Sequence, residues 1–128
     1  MRRNELALFL VLEVIAVVLA ALVFKLIESR LLAGMIAGAY FVNSGLYMLW
    51  RIMQWPRRWR SLTLYPLLVH VFLISLPLVV VRALNMNMAF EDITVWGIPG
   101  PVFHKFSTTI FSIVVLATIV DLNRSRKA

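Results

Sequence analysis

The chain contains no cysteine. This excludes a disulfide framework, a thiolate metal site and a cysteine nucleophile. Charge is also scarce: only 15% of the 128 residues are Asp, Glu, Lys or Arg, against roughly a quarter in a soluble domain. Six are acidic. There is no phosphate-binding glycine loop, no nucleophile elbow and no pair of carboxylates within an apolar stretch. There is also no internal repeat of the kind that inverted transporters carry. The expectation from these absences is a protein that is not an enzyme.

What the chain has instead is apolar surface. Hydrophobic residues make up 62% of it, which is incompatible with an intrinsically disordered chain. They gather in four segments, roughly Leu6–Ile27, Leu31–Met53, Leu62–Val81 and Val102–Leu122. Each is about 20 residues, enough to cross a hydrocarbon core of about 30 Å as a helix. Spans of that length must satisfy their own backbone groups, so helices are the default, and a barrel would need shorter segments of alternating polarity. The fold expected is therefore an all-α integral membrane protein: a single domain over 1–128, built as a four-transmembrane-helix bundle with an outer loop at 83–101. Met1-Arg2-Arg3 before an apolar stretch resembles a signal peptide, but the stretch is too long for a usual signal core and reads as a retained helix.

The net charge of +7 sets orientation rather than suggesting nucleic acid. Nine of the thirteen Lys and Arg residues fall at the termini and in the middle loop, and four fall at the other ends of the segments. The positive-inside rule then puts both termini in the cytoplasm of a bacterial inner membrane. The middle loop Gln54-Trp55-Pro56-Arg57-Arg58-Trp59-Arg60 is basic and aromatic. Arg57, Arg58 and Arg60 are expected to meet anionic lipid headgroups or simply to fix topology. The outer loop ends in Gly97-Ile98-Pro99-Gly100-Pro101, a turn signal that should set the start of the fourth helix.

Four polar residues lie deep in the spans. Glu13 is about 10 Å in from the end of the first segment, and an acid at that depth is a functional candidate by default. His70, Asn43 and Ser112 fall at similar depth in the other three, within a layer roughly 5 Å thick. His104 lies near the outer end, roughly 15 Å from His70 along the membrane normal. An intramolecular bis-histidine site is not expected, nor is any metal or cofactor.

Helical periodicity sorts the remaining candidates by face. Ala16 and Ala20 share the Glu13 face, while Gly34, Gly38 and Gly45 share one face of the second segment. Gly34-x-x-x-Gly38 is a small-residue pattern that lets helices approach closely, so these residues are expected to pack the first helix on the second. Asn43 then points away from the glycines, beside Tyr40, Tyr47 and Trp50. That stripe is a candidate face for a partner.

The string Leu12-Glu13-Val14-Ile15-Ala16 resembles the membrane-embedded glutamate segment of small multidrug resistance transporters. The resemblance implies a four-helix chain working as an antiparallel dimer, with Glu13 as the proton and cation site. It ends with that stretch. The third segment lacks the matching tryptophan–glycine pattern, and the strong charge bias predicts a single orientation.

Two functions follow. The first is a small inner-membrane interaction protein, an accessory, anchoring or regulatory subunit bound to another integral membrane protein and to lipids. The second is a homo-oligomeric proton-coupled transporter or ion conduit working through Glu13.

Overall fold

The computed structural model describes residues 2–55 and 61–127. Four helices are long and apolar enough to cross a membrane: α1 (Arg2–Leu26), α2 (Arg30–Met53), α3 (Leu64–Leu84) and α4 (Gly100–Lys127). α1 and α4 run several residues beyond the apolar segments that marked them, because hydropathy locates a span and not the helix that carries it. Ser29 begins α2, its hydroxyl accepting from the backbone N–H of Leu32 at 3.2 Å. Only Ile27–Ser29 separate α1 from α2, so the two run antiparallel. Each of α1 and α3 packs against both α2 and α4, which closes the four into a ring.

α3 is not a uniform α-helix. Between His70 and Ser75 it widens into a turn of i→i+5 hydrogen bonding. The cause lies just beyond, at Pro77, which has no N–H to give to the Leu73 carbonyl and whose ring crowds it. The helix thus continues past Pro77 by way of a wide turn.

The connection from α3 to α4 also has structure of its own. Two short strands, β1 (Thr94–Val95) and β2 (Ile98–Pro99), pair antiparallel. Trp96 and Gly97 between them have φ of +56° and +74°, the left-handed pair that a two-residue hairpin turn requires. The turn signal at Gly97 to Pro101 therefore makes a hairpin first, and α4 starts within it at Gly100.

Two apolar clusters form the core. Leu6, Phe9, Met48, Leu49, Ile52, Leu67, Val71 and Val114 pack together toward the end of the bundle that holds the chain termini. At the opposite end, Val95 of the hairpin packs against Ile74 and Phe103. Much of the outward surface is large and apolar, with Val11, Val18, Leu73 and Leu116 all about half exposed or more. Such an outward face is compatible with four helices long and apolar enough to cross a membrane.

The glycines of α2 do not serve the contact expected of them. A methyl on Gly38 would collide with Val79, and one on Gly45 with Val71. Both of those neighbours lie on α3, so the closest approach is between α2 and α3. Gly34 alone looks toward α1, with Phe24 as its nearest neighbour. Ala16 is buried and Ala20 half-buried. A small-residue face marks where a helix can be approached closely, but it carries no information about which neighbouring helix makes the approach.

Candidate functional site

The four deep polar residues do not assemble into one site. Glu13 is buried, and its Oε1 lies 2.6 Å from the Thr118 hydroxyl of α4. Its Oε2 has no hydrogen-bond partner among the described residues. The Thr118 hydroxyl also lies 2.9 Å from the Val114 carbonyl. One hydroxyl has one proton, so it serves both oxygens only if a proton from the carboxyl completes the pair.

His70 is buried as well, with other partners. Its Nδ1 lies 3.2 Å from the Ser75 hydroxyl, and its ring sits against Phe41 and Phe111, with centroids 5.6 and 5.2 Å away. Five residues of regular α-helix would turn Ser75 about 140° away from His70. The wide turn ahead of Pro77 is what puts the two on one face.

Asn43 and Ser112 both face outward. The Asn43 side chain donates to the Ala39 carbonyl of its own helix at 2.8 Å. Ser112 donates to the Thr108 carbonyl at 2.9 Å, and Thr108 and Thr109 bond back to His104 and Lys105 in the same manner. These are the local bonds that hydroxyls make within a helix when no neighbour supplies an acceptor. Tyr40 leaves the stripe it was grouped with. It turns toward α1 and donates to the Leu12 carbonyl at 3.1 Å. Tyr47 and Trp50 remain exposed beside Asn43, and their rings lie 6.3 Å apart. Arg57, Arg58 and Arg60 lie outside the described residues.

The best-satisfied polar cluster was not found in the sequence. Asp121 of α4 is completely buried. Its Oδ2 accepts from the Ser61 hydroxyl at 2.8 Å, the Thr63 N–H at 3.0 Å and the Thr63 hydroxyl at 2.7 Å. Its Oδ1 accepts from the Leu62 N–H and from Arg124 at 3.1 and 3.0 Å. This carboxylate caps the entry to α3 from a neighbouring helix, taking up the N–H of Thr63, just before the first helical residue Leu64, and that of Leu62 ahead of it. Two features signalled it. Ser61-x-Thr63 before an apolar run is a helix-start pattern, and an acid near the C-terminal end of a helix opposes the helix dipole unless something else holds it.

Glu5 was overlooked as well. Its carboxylate accepts from Arg51 and from the Trp55 indole N–H, joining α1 to the end of α2. Trp55 in turn stacks on Phe9 with centroids 5.8 Å apart.

The other half of the bundle holds a partly open cavity. A cavity of about 510 Å³ lies among all four helices. Arg30, Arg82 and His104 stand at its end near the hairpin, and Phe41, His70 and Phe111 lie at its inner end. Glu13 is not among its walls. No known protein family, curated protein or solved structure matches this chain.

Proposed function

We propose that this is a small integral membrane interaction protein, an accessory or anchoring subunit that holds a transmembrane helix of a different protein against α2. Asn43 carries this reading. It lies about 15 Å from the end of α2 by helix rise, and so near the middle of the span. Its side chain is exposed there, and among the described residues its amide makes one hydrogen bond, within its own helix. An amide turned toward lipid with hydrogen-bonding capacity unspent is unfavourable. A partner helix with a polar side chain at the same depth would relieve it. Tyr47 and Trp50, exposed on the same side, supply the apolar contact around it.

The location proposed is a bacterial inner membrane with both termini cytoplasmic, on the strength of the positive charge at the terminal end. The test is native mass spectrometry of a tagged copy, expressed in its own host and extracted gently. A stoichiometric foreign subunit, lost on Asn43→Leu while the helix content stays unchanged, supports the reading. Recovery unaffected by Asn43→Leu and Tyr47→Ala counts against this face.

Proton-coupled transport by a homo-oligomer is the second reading, and Glu13 Oε2 favours it as a buried oxygen without a partner among the described residues. A clean homo-oligomer whose proton flux disappears with Glu13→Gln would establish it in place of the first.

A further inference from the structure

From the cavity between the helices we infer a binding site for a single-chain amphiphile with a carboxylate head, of the fatty-acid type, its head at Arg30 and Arg82 and its tail running inward toward Phe41 and Phe111. The inference does not depend on the partner proposed for α2.

Three observations carry it. The volume, about 510 Å³, falls in the range of small-molecule sites. The walls are almost entirely apolar: Val17, Phe24, Met35, Ile74, Leu78 and Val79 among them. The polar groups are placed asymmetrically. Arg30 of α2, Arg82 of α3 and His104 of α4 line the cavity from three helices, each near the helix end toward the hairpin, and among the described residues no Asp or Glu lines it. The Arg82 guanidinium donates to the Met88 carbonyl at 2.8 Å, which holds its side chain by the loop. A cationic mouth over an apolar shaft is complementary to an anion with a hydrocarbon tail.

The length fits too. From Arg82 to His70 the helix rises roughly 18 Å at 1.5 Å per residue, the scale of one extended acyl chain. Ser107, in the wall between mouth and floor, makes no hydrogen bond among the described residues, so its hydroxyl is available to the head. At the inner end the ring contacts of Phe41, His70 and Phe111 close the shaft.

Fluorescence titration of the full chain in amphipol with cis-parinaric acid, a fluorescent fatty acid, tests the inference. Saturable one-site binding is expected, displaced by palmitate and not by hexadecanol, which has the tail without the charge. Arg30→Gln should weaken binding by about tenfold, the loss of one charge-assisted contact. Lys25→Gln, also basic and at the same end but outside the cavity wall, should leave it unchanged. Gly34→Leu should abolish it, because a side chain there enters the cavity with only Phe24 close by, at 3.9 Å from the added Cβ. Circular dichroism melts identify any variant that has simply unfolded. Equal displacement by hexadecanol, or equal effects of Arg30→Gln and Lys25→Gln, would overturn the anionic head. Unchanged binding by a folded Gly34→Leu would place the amphiphile elsewhere. A purified protein that retains a two-tailed phospholipid and excludes palmitate would overturn the single-chain ligand.

Discussion

The Trp96 indole N–H donates to the carbonyl of Leu73, 2.9 Å away. This is the carbonyl that Pro77 leaves without its regular helical donor. The hairpin between α3 and α4 thus repairs a defect in α3, and Trp96 adopts a left-handed φ of +56° to do so. That conformation costs a residue with a side chain about 1–2 kcal/mol. In an apolar environment the carbonyl has no water to fall back on.

Trp96→Phe keeps the ring and removes the donor. It is expected to lower stability by about 1–2 kcal/mol, the cost of an unpaired polar group. Gly97→Val should cost as much or more, because φ at Gly97 is +74° and a β-branched residue is strained there. Thermal melts of the two variants against the wild type in one detergent check both values. A wild-type melt for Trp96→Phe would mean that the Leu73 carbonyl does not depend on the indole.

What was legible in the sequence was whatever depends on hydropathy and length. The four helices, their antiparallel order and the short α1–α2 turn follow from apolar runs and the residues between them. Side-chain pairing followed a different logic. Glu13 and Ser112 were grouped because they share a depth, yet Glu13 meets Thr118, which lies on the buried face of α4, while Ser112 faces outward. His70 and Ser75 are far apart by α-helical periodicity and become neighbours only through the wide turn. The glycines of α2 announced a close contact without naming the helix that makes it. Asp121 was hidden by its position: at the end of an apolar run it reads as part of a solvated tail, and its partners sixty residues earlier belong to another helix.

Asp121 is expected to be a strong determinant of stability. Asp121→Ala leaves Ser61, Leu62 and Thr63 without their shared acceptor, a loss on the order of 3 kcal/mol for hydrogen bonds to a charged group. Asp121→Asn should cost less, because one oxygen of the same shape remains to accept. Arg124→Gln should cost least, since that side chain is 41% exposed and its ion pair is weakened by solvent. The order Ala, Asn, then Arg124→Gln in thermal denaturation checks the cap. A result in which Arg124→Gln matches Asp121→Ala would mean that the ion pair, not the cap, is what matters.

Orientation can be read cleanly because the chain has no native cysteine. Asn4 and Asn87 are both exposed, near opposite ends of the bundle. In intact cells a membrane-impermeant maleimide is expected to label Asn87→Cys and to spare Asn4→Cys until the cells are opened. The reverse pattern would put the termini outside, against the charge bias. Labelling of both positions in intact cells would indicate a chain inserted in two orientations, the arrangement an antiparallel dimer needs.

Glu13 and Thr118 separate a packing role from a proton-handling one. If the contact only locks α1 to α4, Glu13→Gln should change stability by less than about 1 kcal/mol, because the amide keeps both a donor and an acceptor for the Thr118 hydroxyl. Thr118→Val removes that hydroxyl at nearly constant shape. It should lower stability by about 1–3 kcal/mol, since it strands the buried Glu13 Oε1. The double variant Glu13→Leu with Thr118→Val removes both polar partners, and replacing a buried pair with apolar groups is often close to neutral. Recovery of wild-type stability in that double variant, with partner binding intact, would assign Glu13 to packing. A double variant that is stable and folded but functionally dead would show that the carboxyl is retained for its proton.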